Sequence, residues 1–214
     1  MRFEAVIFDL WDTLIAWDKE ATAELSARVS AVVGDGFGER WSAQRNRYTV
    51  PIRVALAEAG VPPEAMDEVC ALRSDYVRRS LVPVAGAVDT LRELRRLGYR
   101  TGLITVRSED VERLWPESAF AGLFDAEIFS SRLGVSKPDP RIYLACCEEL
   151  GVQPERAVFV GDGANDELAG ARRVGMEAIL IHAPGEEPFW PEARVWDGPR
   201  VTSIPEVLEV IAAC

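Results

Sequence analysis

Apolar and polar positions divide the chain into short apolar runs and longer helical stretches. The apolar runs lie at 3–8, 100–105, 157–160 and 177–181. Their lengths suit buried strands, because a strand covered on both faces needs no polar alternation. Three helical stretches end at a glycine shortly before an apolar run, at Gly98, Gly151 and Gly175, and glycine is a common end signal of a helix. Helices that alternate with buried strands predict an α/β fold, here a Rossmann-like parallel sheet with helices on both faces.

A long segment without strand signals separates the first apolar run from the others. This segment, residues 16–81, is called the helical insert below. The helices expected in it span about 18–33, 42–59 and 64–79. Pro51 is expected to interrupt or start one of them. The sequence thus predicts an α/β core, residues 1–15 and 82–214, and a small α-helical cap formed by the insert. An insertion after a strand's carboxyl end lies where ligands bind in open α/β sheets, so the cap is expected to cover the site.

Composition narrows the classes of function. The chain has 214 residues and a formal net charge of -11, which argues against binding to nucleic acid or to an anionic membrane surface. No apolar run approaches the roughly 20 residues that span a bilayer, and the start of the chain lacks the pattern of a signal peptide. We therefore expect a cytoplasmic protein. Four cysteines without CxxC spacing and a single histidine make a poor set of zinc ligands.

Residues with reactive side chains follow several of the predicted strands. Asp9 ends the first strand, and Asp162 has the same relation to a later one. Carboxylates brought into one crevice repel each other and are tolerated mainly where a hard cation such as Mg²⁺ binds among them. Thr105 and Lys137 add a hydroxyl and an ammonium at further strand-end positions. Each residue alone has a structural explanation, but together they suit phosphoryl transfer, which depends on positioning and charge neutralisation.

The order of these motifs resembles the haloacid dehalogenase superfamily. The resemblance rests on Asp9, Thr105, the Ser136-Lys137-Pro138 sequence and the GDGANDELAGA sequence at 161–171. It extends over essentially the whole chain. The helical insert after the first motif is similar to the α-helical cap of the subfamily that includes phosphoglycolate phosphatase and the haloacid dehalogenases.

The resemblance implies a role for each matching residue. Asp9 matches the nucleophile that forms a covalent aspartyl intermediate, Thr105 the hydroxyl that binds the transferring group, and Lys137 the cation that neutralises it. The implied cofactor is Mg²⁺. Its expected ligands are Asp9, the backbone carbonyl of Trp11 and Asp162, and Asp166 is expected to hold the metal's outer shell.

Trp11 departs from the phosphatase pattern, in which a second aspartate acts as general acid and base at that position. An indole cannot move a proton in this way at neutral pH, and such help is typically worth about 10²–10⁴ in rate. Asp12 could replace it only through a local rearrangement, because a shift of one residue points the side chain elsewhere. Val106 also stands where the family often has asparagine.

The leading hypothesis is a Mg²⁺-dependent hydrolase of a small phosphorylated metabolite with an atypical proton-transfer step. One alternative is a 2-haloacid dehalogenase-like enzyme, since an aromatic residue occupies the position of Trp11 in that branch. A second is a protein of this fold that binds a phosphate ester with little or no catalysis. Arg45, Arg47 and Arg53 form either a site for a distal anion or a solvated helix face. The sequence leaves monomer and homodimer open.

Overall fold

A parallel sheet forms the centre of the protein in the computed structural model, which describes residues 2–183, 185 and 187–213. Its strands are β1 (Ala5–Phe8), β2 (Arg100–Thr105), β3 (Ala126–Phe129), β4 (Ala157–Gly161), β5 (Glu177–Ile181) and β6 (Arg200–Val201). The strand order is β3-β2-β1-β4-β5-β6, and every neighbouring pair is parallel. Strand β1 is central, and Ala5 pairs with Arg100 on one side and with Ala157 on the other. The carboxyl ends of β1, β2 and β4 therefore meet at the point where the strand order reverses, which is the usual ligand site of such sheets.

Helices connect the strands and form the insert. The helices of the insert are α1 (Lys19–Val33), α2 (Phe37–Ala43), α3 (Ile52–Glu58) and α4 (Met66–Ser80). Those of the core are α5 (Ala87–Arg96), α6 (Glu109–Leu114), α7 (Ser130–Leu133), α8 (Pro140–Leu150), α9 (Glu167–Arg173), α10 (Pro191–Val195) and α11 (Glu206–Ala212). Local sequence sets several of these bounds. Helix α8 begins where the Asp139 carboxylate accepts the N–H of Arg141 and ends at Gly151, whose φ is +62°.

Both faces of the sheet are covered by apolar side chains. Alternation along β1 sends Val6 and Phe8 into one buried cluster, and Ala5 and Ile7 into the other. Helices α5 and α11 pack in the first cluster, and helices α8 and α9 pack in the second. The predicted sheet with helices on both faces is confirmed.

The helical insert has an apolar cluster of its own and is also tied to the core. Leu25, Leu56 and Val69 are buried among insert residues. Helix α4 reaches the core through Arg73, whose Nε donates to Asp110 Oδ2 of α6 at 2.9 Å, with both side chains buried.

Several predicted elements need correction. The single helix expected at 42–59 is two helices, α2 and α3, and residues 44–51 between them are not helical. Because Pro51 lacks an N–H and restricts the residue before it, α3 cannot extend back through this point. Pro51 precedes the first residue of α3. Strands β3 and β6 were missing from the prediction. Strand β6 has only two residues at the sheet edge, too few for a pattern. None of the helices in the described ranges has the length and apolar character to cross a membrane.

Candidate active site

Asp9 and Lys137 meet at the carboxyl edge of the sheet. Asp9 directly follows β1, its backbone N–H donates to Val160 O at 2.9 Å, and its side chain is buried. The Lys137 ammonium, also buried, donates to Asp9 Oδ1 and to Glu167 Oε2. The side chain that would act as nucleophile is therefore held by a cation that the fold places beside it.

Asp162 and Glu167 complete an acidic cluster around this pair. Carboxylate oxygens of Asp9, Asp162 and Glu167 all lie within 4.8 Å of one another. Asp162 directly follows β4, and its Oδ2 accepts the indole N–H of Trp190 at 2.8 Å. Glu167 is fully buried, and its Oε1 accepts the backbone N–H of Gly163 at 3.1 Å. Charged groups from four separate places in the sequence thus converge on one point.

Gly161 is required for this convergence. A Cβ atom at position 161 would lie 2.1 Å from Glu167 Oε1, far inside van der Waals contact. The glycine that ends β4 therefore makes room for the buried Glu167 carboxylate.

Burial and charge shift the pKa values of the cluster. Burial alone would lower the pKa of Lys137, but the Asp9 and Glu167 carboxylates outweigh it and raise that pKa. Burial, with the charge of Asp9, raises the pKa of Asp162 to about 6. Burial also raises the pKa of Glu167 well above its ordinary value. Three carboxylates face one ammonium, so the ionised cluster carries excess negative charge that a hard divalent cation would neutralise.

Asp166 is not one of these three clustered carboxylates, and its place in the metal's outer shell stays a prediction. It is exposed, and both Asn165 and Asp166 have left-handed backbones, with φ of +55° and +56°. This turn brings the chain into α9 at Glu167, which faces inward instead. Glu167 shares a buried face of α9 with Gly170 and Ala171, but a glutamate, a glycine and an alanine form no apolar pattern that predicts this burial from the sequence.

A cavity of about 730 Å³ lies between the core and the helical insert and contains this cluster. Thr105, at the end of β2, is buried and lines the cavity, so Asp9, Thr105, Lys137 and Asp162 share one space. Of the arginines considered from the sequence, Arg45 and Arg47 line the cavity. Arg53 lies on the surface and pairs with Asp67, so it belongs to a solvated helix face.

The Trp11 side chain is buried in the wall of the cavity. The guanidinium carbon of Arg107 lies 4.4 Å from the centroid of its ring. Arg107 also donates to the Tyr48 hydroxyl of the insert at 3.4 Å. The sequence analysis missed Arg107, since one arginine among many carries no signal of its own.

Asp12 lines the same cavity but is tied to the backbone. Its φ is +55°, and its Oδ1 accepts the N–H of Trp17 at 2.9 Å. Desolvation raises the pKa of Asp12 more than the Trp17 N–H lowers it, and the Asp9 charge raises it further. This hydrogen bond occupies Oδ1, so a role for Asp12 in proton transfer would fall to Oδ2.

Comparison with known proteins agrees with this geometry. A family model described as haloacid dehalogenase-like hydrolase matches residues 3–175. A phosphatase of Mycobacterium tuberculosis (MT3486) is 30% identical over 87% of this chain and 90% of its own. Phosphoglycolate phosphatase 1 of Pseudomonas aeruginosa is 33% identical over 82% of this chain and 68% of its own.

A solved structure of a 2-haloacid dehalogenase from Pseudomonas syringae pv. Tomato DC3000 superposes with a TM-score of 0.73. It covers 99% of both chains at 24% identity and supports the fold alone. The match of the family model to most of the chain, on a fold of the same architecture, shows that the protein is an enzyme of the haloacid dehalogenase-like hydrolase family.

Proposed function

We propose that the protein is a metal-dependent phosphohydrolase of small phosphate esters that works through a phosphoryl group on Asp9. The observation that carries the proposal is the Asp9 carboxylate, held by Lys137 and within 4.8 Å of Asp162 and Glu167 oxygens at the wall of a large cavity. Two relatives that align along most of this chain are named phosphatases.

The residues divide the reaction between them. An Asp9 oxygen forms a bond to phosphorus as the ester P–O bond breaks, and the leaving oxygen departs with its electron pair and takes up a proton. Water then breaks the acyl phosphate and restores the Asp9 carboxylate with release of phosphate. The Lys137 ammonium would neutralise the phosphoryl oxygens and the Thr105 hydroxyl would bind them, which their place in the lining of the same cavity supports.

Mg²⁺ fits the donor set, because the cluster offers hard oxygen ligands and excess negative charge. Asp9, Asp162 and the Trp11 carbonyl would hold the ion. When bound, Mg²⁺ supplies positive charge to the transferring phosphoryl group. Glu167 already binds Lys137 and the Gly163 N–H, so its role is to hold Lys137 in place.

A dehalogenase-like C–X hydrolase is the second candidate. Trp11 favours it, because that branch carries an aromatic residue at this position. The acidic pair Asp9 and Asp162 weighs against it, since displacement of halide by a carboxylate needs no metal. The helical insert is proposed to act as a cap that selects the substrate in either case, because its helices α1, α2 and α4 line the cavity.

Phosphate release from p-nitrophenyl phosphate, with Mg²⁺ and then with EDTA, tests the proposal. Its leaving group needs little help from an acid, so the indole at position 11 does not mask the first step. We expect turnover with Mg²⁺ that EDTA abolishes. Metal-independent chloride release from 2-chloropropionate would favour the dehalogenase-like candidate. Binding of Mg²⁺ and ester without release of any product would favour a non-catalytic protein.

A further inference from the structure

Arg107 is a cavity arginine without a carboxylate partner. Among the residues that the structure describes, its contacts are the Trp11 ring, the Tyr48 ring at 5.5 Å and a hydrogen bond to the Tyr48 hydroxyl. Burial raises the pKa of Asp12 and the Arg107 charge only partly opposes this, because the two side chains do not form an ion pair. A guanidinium has five N–H donors, and Arg107 leaves most of them for a ligand.

Arg47 of the helical insert also packs against Tyr48 and lines the cavity. Its guanidinium carbon is 4.6 Å from the Tyr48 ring centroid. One terminal nitrogen donates to the carbonyls of Ser42 and Gln44, while Nε is buried with no acceptor in the described part of the chain. Arg47 lines the same cavity, so its positive charge is close to a ligand bound there.

Arg73 shows what a purely structural arginine looks like in the same cavity. It lines the cavity and lies over the Trp41 ring, 4.5 Å from its centroid. It also has two buried partners from the core, donating to Asp110 at 2.9 Å and to Ser108 at 2.8 Å. Arg73 thus has a buried carboxylate partner, whereas neither Arg107 nor Arg47 forms an ion pair with a carboxylate in the described part of the chain.

The charge of these arginines dominates the local electrostatics. Burial would raise the pKa of Tyr48, but the charges of Arg107, Arg47 and Arg73 outweigh it and lower that pKa. This wall of the cavity is positive in a chain whose formal net charge is -11. Anions are thus attracted to this wall in spite of the acidity of the whole protein.

The segments that directly follow β1 and β2 also contribute residues to this positive wall. Trp11 follows Asp9 by two residues and Arg107 follows Thr105 by two, so the arginine lies close to the site of phosphoryl transfer. A planar guanidinium binds a carboxylate through two parallel hydrogen bonds, and its aromatic neighbours restrict its orientation.

We propose that Arg107 and Arg47 bind a carboxylate on the substrate, so that the enzyme prefers short phosphorylated carboxylic acids over phosphate esters that lack a carboxylate. The inference rests on the proposed function, because it assigns the part of the ester that is not transferred. It also gives Trp11 a purpose: the indole supports the arginine that determines specificity.

Matched ester pairs test the preference directly. Each pair differs in a carboxylate: 3-phosphoglycerate and glycerol 3-phosphate, O-phosphoserine and O-phosphoethanolamine, and 2-phosphoglycolate and 2-hydroxyethyl phosphate. We expect kcat/KM for the acid to exceed that of the ester without a carboxylate by about 10- to 100-fold in at least one pair. This is the effect expected when a hydrogen bond to a charged group is lost. A ratio near or below one in all three pairs would overturn the inference while leaving the phosphohydrolase intact.

Variants assign the preference to the arginine. Arg107→Met is expected to bring the ratio within about threefold of one, and Arg107→Lys to leave an intermediate ratio, because lysine keeps the charge but not the paired hydrogen bonds. Arg53→Met is the matched control, since Arg53 is an exposed insert arginine paired with Asp67, and it should keep the wild-type ratio. An unchanged ratio in Arg107→Met would contradict the assignment.

Binding separates the two proposals if no ester is hydrolysed. Calorimetric titration of Asp9→Asn protein with each pair, in Mg²⁺, measures recognition without turnover. Tighter binding of the acid, lost in a variant that also carries Arg107→Met, would support the carboxylate site even if the proposed phosphohydrolase failed. Equal binding of the two members of every pair would refute the carboxylate site.

Discussion

The Arg107 guanidinium lies over the Trp11 indole, with 4.4 Å between the guanidinium carbon and the ring centroid. The position two residues after Asp9 is therefore used for packing against a cation. An indole offers only an N–H donor and does not exchange protons at neutral pH. The protonation of the leaving group must consequently come from elsewhere, such as water.

Turnover is expected to depend steeply on the leaving group. In a series from phenyl phosphate to p-nitrophenyl phosphate, kcat/KM should rise as the pKa of the leaving phenol falls, because no side chain at position 11 can protonate the departing oxygen. Steady-state rates with Mg²⁺ measure this. If kcat/KM stays constant along the series while the first step limits phosphate release, another group, such as Asp12, acts as the acid.

Glu167 is expected to matter more for stability than its neighbour Asp166. Glu167→Ala removes one partner of the buried Lys137 and leaves the Gly163 N–H without an acceptor. We expect the free energy of unfolding to fall by about 3 kcal/mol. Urea denaturation measures it. The control Asp166→Asn, which keeps a residue tolerant of the left-handed backbone, should change it by less than about 0.5 kcal/mol. Equal effects of the two variants would contradict the assignment of Glu167 to the cluster.

Trp190 is expected to tune metal binding through Asp162. Trp190→Phe removes the indole N–H that Asp162 Oδ2 accepts at 2.8 Å, so Asp162 loses part of its orientation. The Mg²⁺ concentration for half-maximal turnover should rise about tenfold, the lower end of the range for such outer contacts. Trp196→Phe is the matched control, because the Trp196 indole donates to Pro199 O instead. If both variants shift the Mg²⁺ dependence equally, Trp190 has no specific role.

The acidic cluster is expected to cost stability in metal-free protein at neutral pH. The carboxyl of Asp162 ionises near pH 4 in an unfolded chain and at about 6 in the fold. Folded protein thus binds more protons between these values, so stability falls as the pH rises through this window and stays lower above it.

Asp162→Asn removes this dependence. In EDTA, the variant should exceed wild type in free energy of unfolding by up to about 3 kcal/mol at pH 8, a difference that vanishes near pH 4. Denaturant unfolding at both pH values checks this, with the exposed Asp89→Asn as control. A difference that is constant with pH would contradict the raised pKa.

The sequence predicted the parts of the site that depend on strand ends. Asp9, Thr105 and Asp162 each follow a buried apolar run, and parallel strands bring such residues to one edge whatever the details of the loops. Lys137 was found through its motif, and the structure brings it to Asp9.

The remaining parts of the site and of the sheet depend on contacts that no local sequence pattern predicts. Glu167 faces the cluster only because Asn165 and Asp166 adopt left-handed backbones. The contacts of Arg107 form only because the helical insert packs onto the core and brings Tyr48 to it, so no local sequence pattern predicts them. Strand β6 exists through pairing with β5, because two residues cannot form a strand pattern alone.

Detection of a phosphoryl group on Asp9 tests the central claim most directly. The enzyme is mixed with p-nitrophenyl phosphate and Mg²⁺, quenched in acid within milliseconds, and digested for mass spectrometry. The account predicts phosphate on the peptide that contains Asp9, none when EDTA is present, and none in Asp9→Asn, whose turnover should fall at least about 10³-fold. Turnover at the wild-type rate in Asp9→Asn would contradict it.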